Sequence, residues 1–173
     1  GYSNGTLRLW DLVEQLDYQS FETGIQPDSI AASPDGRYLI IGSMFAGDPN
    51  VVLWDIAESR VIRAYQGFDG VTSPGVVAIS PDGQFATAGG GYLNKPVYNL
   101  VVWKLASGEV QCHQDITNAI PRSIAISPDS HWLLSGTQGD VDFGQVNELT
   151  LWDIQTCKLI RKFNMNEYED VTG

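Results

Sequence analysis

Only two cysteines occur in 173 residues, Cys112 and Cys157. So few thiols, so far apart in sequence, announce neither a disulfide framework nor a zinc site, and their scarcity favours a reducing compartment. Long apolar runs are missing too. No stretch approaches the roughly 20 apolar residues of a membrane-crossing helix, and Gly1 to Asp11 lacks the charged-then-apolar layout of a secretion signal. A cytoplasmic location is therefore the expectation. Basic residues are scarce, ten Lys and Arg against 21 Asp and Glu, a formal net charge of −11. Nucleic-acid backbones and anionic membrane surfaces both recruit clustered Lys and Arg, so neither is expected as a partner.

What is present is punctuation. Eighteen glycines and eight prolines are spread along the chain, as expected for many short elements joined by tight turns. The punctuation repeats. Ser33-Pro34-Asp35-Gly36 returns as Ser80-Pro81-Asp82-Gly83 and as Ser127-Pro128-Asp129-Ser130, each 47 residues after the last. An apolar stretch with a shared alanine precedes each turn (Ala31, Ala78, Ala125), and a second apolar run follows it. Then comes Leu53-Trp54-Asp55-Ile56, matched by Val102-Trp103-Lys104-Leu105 and Leu151-Trp152-Asp153-Ile154; Leu9-Trp10-Asp11-Leu12 opens the chain as a fourth copy. A more polar run closes each unit. Each unit therefore reads as four short strands. Proline sets φ within the turn, Asp suits the next position, and Gly accepts the positive φ that follows; Ser130 takes that last place at a small cost in strain. The third strands are apolar on both faces, so both faces must be covered, as in four-stranded sheets stacked around an axis.

These residues resemble the WD40 family over nearly the whole chain. The resemblance implies an all-β fold, a segment of a WD40-type β-propeller built of four-stranded antiparallel blades. It assigns structural roles to Trp10, Trp54, Trp103 and Trp152 and to the turn residues Asp35, Asp82 and Asp129. The family's Gly-His pair before the first strand is missing from every unit, and Lys104 stands where the family has Asp. The strand count gives an incomplete ring within one propeller domain: an outer half blade over 1–28, blades over 29–75 and 76–122, and a blade with a linker loop over 123–173. The remaining blades are expected from a longer chain or from another chain.

Function is expected on the face carrying the second-to-third-strand loops. From the preceding Gly to the Trp the span grows along the chain, from nine positions (Gly1 to Trp10, with a tight Asn4-Gly5 turn) to twelve, fourteen and sixteen. The insertions carry Phe45, Asp48, Tyr92, Lys95, Tyr98, Asp140, Asp142 and Phe143, the candidate binding residues. The same face gathers eleven carboxylates, from Glu22 and Asp28 to Glu148 and Asp170, against Lys95 and Arg122. A protein partner of basic or mixed polar surface fits such a face. The expected role is an interaction scaffold within a larger protein, without catalytic residues, metal or cofactor. The alternative is an enzyme or small-ligand site at the ring axis. The recurrent Ser has no His placed to deprotonate it. Asp140-Val141-Asp142 with Asn147 and Glu148 does not follow a calcium-loop spacing, and Gly89-Gly90-Gly91 lacks the Gly-Lys-Ser of a phosphate loop and reads as the flexible opening of a hairpin.

Overall fold

A computed structural model describes residues 5–14, 16–43, 50–67, 74–91, 100–114, 116, 119–139 and 148–164. Among these every regular element is a strand. The half blade is β1 (Thr6–Asp11) and β2 (Leu16–Glu22). The first whole blade runs β3 (Ser29–Ala32), β4 (Tyr38–Gly42), β5 (Val51–Asp55) and β6 (Arg60–Ala64). The second runs β7 (Pro74–Ile79), β8 (Phe85–Gly90), β9 (Leu100–Lys104) and β10 (Val110–Gln114). The third runs β11 (Ala119–Ile126), β12 (Trp132–Gly139), β13 (Glu148–Asp153) and β14 (Leu159–Asn164). Each whole blade is an antiparallel meander in sequence order, and the half blade is a two-stranded sheet without inner strands. The first strands lie side by side, β3 against β7 and β7 against β11, with Val77 N donating to Ser29 Oγ at 3.0 Å. They form the inner wall of an open arc.

Burial follows from stacking. Alternate residues of a strand face opposite neighbours. Ile41, Val52 and Trp54 pack on Leu7 and Phe21 of the half blade, while Ile40, Val51 and Leu53 pack on Ala86, Ala88, Val101 and Trp103. Phe85, Leu100 and Val102 in turn pack on Leu133 and Ile154. Third strand β5 is buried along its whole length and β9 up to Lys104, as expected of strands apolar on both faces; β13, in the last blade, is mostly half-buried, and second strand β8 is buried throughout.

Three sequence readings need correction. Cys112 and Cys157 form a disulfide, with Cα atoms 5.5 Å apart, although 45 residues separate them. Blade stacking brings β10 against the turn after β13, a proximity that spacing in a two-cysteine sequence does not show. Gly89 and Gly90 are buried within β8, not a flexible hairpin opening. A side chain on Gly89 would meet Pro121 Cβ at 2.7 Å, so glycine is there for close blade contact. The inner strands of the second and third blades also begin earlier than the repeat pattern suggests, at Pro74 and Ala119, each crossing a bulge. Pro74 opens its strand and Pro121 sits at the bulge, positions where a missing N–H is tolerated.

Candidate functional site

The turn end of the sheets shows how the recurrent residues are used. In each Ser-Pro-Asp turn the serine Oγ donates to the Asp carboxylate and accepts the N–H that opens the second strand. The distances are 2.5 and 2.8 Å for Ser33, 2.6 and 2.9 Å for Ser80, and 2.5 and 2.9 Å for Ser127. Each Asp also accepts an N–H two residues on, from Arg37, Gln84 and His131. The Ser33 and Ser127 hydroxyls, followed by these backbone N–H groups, hold Asp35 and Asp129 below the ordinary carboxylate range. At Asp82 burial pushes the other way, but hydrogen bonds from Ser80 and Gln84 N outweigh it. The left-handed position is Gly36 (φ 70°), Gly83 (φ 70°) and Ser130 (φ 59°). Ser130 has a use beyond tolerating strain: its Oγ accepts Asp82 N at 3.0 Å, tying neighbouring turns together.

The third-strand Asp residues cap the next turn. Asp11, Asp55 and Asp153 accept N–H groups of Glu14, Glu58 and Thr156, which lower their pKa values. Asp55 pairs with Arg37 at 3.3 Å and Asp153 faces His131 at 3.5 Å. In the unit with Lys104 the post-turn position is uncharged Gln84, and Lys104 instead pairs with Glu109 at 2.8 Å. The charges exchange together.

The repeated tryptophans face the preceding blade. Trp103, fully buried, donates Nε1 to Gln66 O at 2.7 Å and stacks at a tilt on Tyr65. Trp54 meets Phe21 edge-on, and its buried Nε1 has no partner among the described residues. Trp152 Nε1 donates to Thr150, itself bonded to buried Ser135. Trp10, in the half blade, is 51% exposed.

The loop end is less fully described. Phe45, Asp48, Tyr92, Lys95, Tyr98, Asp140, Asp142, Phe143 and Asn147 lie outside the described residues, as does Asn4 of the first tight turn; Gly5 beside it has φ 83°. The loop roots are described. Ser43 N donates to Asn50 O at 2.9 Å, and Thr137 Oγ1 bridges to Glu148 O and N, both at 3.3 Å. Of the carboxylates assigned to this face, Glu148 takes an ion pair from Lys162 at 3.0 Å and Glu22 accepts Thr6 Oγ1 at 3.0 Å. Lys162 is a cation that a loop-by-loop count of charge misses. Its signal was strand register: Lys162 lies opposite Thr150, one step along the same face from Glu148. Among the described residues no cluster of three or more His, Cys, Asp or Glu is placed to hold a metal ion, and no helix is long and apolar enough to cross a membrane.

Meandering four-stranded sheets stacked around an open arc define this chain as part of a β-propeller. Residues 106–141, the length of one repeat, match the WD40 family described as "WD domain, G-beta repeat". The fold is widely shared, with 742 chains of solved structures matching it. One is the Kuenenia stuttgartiensis hydrazine synthase, with a TM-score of 0.77 and 21% identity over 94% of this chain. The match covers 44% of that chain, so the present chain spans less than half its length. At such identity the likeness is one of fold. No curated protein matches the sequence.

Proposed function

We propose that this chain is part of an interaction scaffold, with the remaining blades supplied by a longer protein, and that it binds a partner protein through the face bearing the long, acidic loops. A WD40-type propeller is a module often used in protein interaction. One observation carries the reading. The segments that join β4 to β5, β8 to β9 and β12 to β13 carry the candidate aromatics and carboxylates, and they spring from strands stacked between blades. Aromatic Phe45, Tyr92, Tyr98 and Phe143 supply anchors, and Asp48, Asp140 and Asp142 select a partner carrying Lys or Arg. Binding rather than catalysis is the proposed role. The recurrent serines, the most numerous candidate nucleophiles, are committed to turn hydrogen bonds. The disulfide also bears on location: such a bond persists in oxidising surroundings. We accordingly propose an extracytoplasmic or otherwise oxidising compartment in place of the cytoplasmic expectation.

A photo-crosslinking residue at Tyr98, with Leu12 on the opposite end as control, tests the loop face. Protein crosslinks from position 98 but not 12 are expected. With that partner purified, the double change Asp140→Asn and Asp142→Asn should slow association at low salt and have little effect at high salt. Equal crosslinking at both positions, or an unchanged association rate at low salt, would refute the acidic-loop reading.

A further inference from the structure

At the opposite end of the sheets, the seam between the first and second whole blades holds a cavity of about 470 Å³. Buried Leu53 and Leu105 and half-buried Ile62 form its apolar floor, and exposed Asp35 and Asp82 stand at its rim. In the seam between the second and third blades a small cavity of about 10 Å³ lies at a different level, against Cys112, Cys157 and Trp152. Two side-chain bridges span that second seam. Ser130 Oγ accepts Asp82 N, and Gln111 Nε2 donates to Gln155 O at 3.1 Å, each crossing the second seam. In the first seam the corresponding positions are Gly83, which has no side chain, and Ile62, which has no polar group. Gly83 has room for one, since a Cβ there would stand 4.0 Å from Pro34 Cδ. The first seam thus lacks both side-chain bridges.

Its electrostatics select the occupant. Oδ1 of Asp35 and of Asp82 takes the turn hydrogen bonds, and the Asp82 carboxylate also takes one from the Ser130 hydroxyl. Among the described lining residues the one cation is Arg63, which donates to Ser107 O at 2.6 Å and Ala106 O at 2.7 Å. Two carboxylates over an apolar floor match a side chain with an aliphatic stem and a cationic head, which buries the stem while the head stays at the rim. We propose that this cavity receives an arginine or lysine side chain of a partner protein, its stem on Leu53, Ile62 and Leu105 and its charge between Asp35 and Asp82. This site is separate from the loop face, and it lies at the seam of the first and second whole blades, not at the half-blade turn that holds Leu12.

The test is an NMR titration of the full chain with N-acetyl-arginine-amide, using N-acetyl-citrulline-amide as the uncharged probe of similar shape. The arginine probe should shift signals of Tyr38, Ile62, Gly83 and Leu105, and citrulline should bind about tenfold more weakly, as loss of a charge-assisted contact implies. Gly83→Ser, which copies the serine of the neighbouring turn, should close the mouth, and Ile62→Trp should fill the floor; each should abolish the shifts while the far-UV spectrum and unfolding midpoint show a folded chain. Ile62 is partly exposed, so its variant keeps the test available if Gly83→Ser fails to fold. Equal shifts with citrulline, shifts that survive a folded variant, or no shift with the arginine probe would each overturn the proposal.

Discussion

Ser80 illustrates how much of this fold rests on single hydroxyl groups. Its Oγ is wholly buried, donates to Asp82 and accepts Phe85 N. Removing it leaves a buried N–H without its acceptor, a loss of about 1–3 kcal/mol. Ser127 makes the same two bonds in a half-buried setting, where water can replace the lost partner. Ser80→Ala should therefore lower the urea midpoint clearly more than Ser127→Ala, with the slope unchanged; equal losses would mean that burial does not set the cost. The turn itself was readable from Ser-Pro-Asp, because its conformational preferences are local. The bond from Asp82 N to Ser130 Oγ was not, because it joins residues 48 apart across a blade boundary.

At the scale of the element, one position of the fourth strand straps each blade to the next. Arg63 lies opposite Leu53, and Cys112 lies opposite Val102, the corresponding place. Arg63 reaches the carbonyls of residues 106 and 107, beside Gly108, where a Cβ would come within 2.8 Å of Arg63 Cδ. Gly108 and Cys157 occupy the same turn position, both with positive φ (75° and 59°). One seam thus joins a long cation to backbone carbonyls past a glycine, and the next joins the same two positions through sulfur. Closing a loop of 45 residues is worth about 4 kcal/mol of stability in the chain-entropy picture. Cys112→Ala with Cys157→Ala, or the reduced wild type, should lose stability of that order in guanidinium denaturation. A loss under about 1 kcal/mol would show that packing alone holds this seam.

Across the whole molecule, protection should follow the number of covered faces. Strands β5, β8 and β9 lie in blades with a neighbour on each side, whereas β1 and β2 form a two-stranded sheet covered on one side, with Trp10 and Leu9 partly open to water. In a stacked array each unit draws stability from its neighbours. Amide exchange should be slowest in β5, β8 and β9 and fastest in β1 and β2; equal protection in β1 and β9 would contradict this arrangement.

The sequence by itself determined the blade, its four strands, the three turns, the two-faced burial of the middle strands and the open arc. Each depends on local conformational preference or on alternation within a strand, and a 47-residue repeat states them three times. Only the tertiary structure decided which residues of successive repeats meet: Cys112 with Cys157, Gly89 with Pro121, and the unfilled seam beneath Asp35 and Asp82. These contacts depend on how one blade rotates onto the next, and that rotation is set by side-chain volumes summed over a whole seam, which no local pattern along the chain contains.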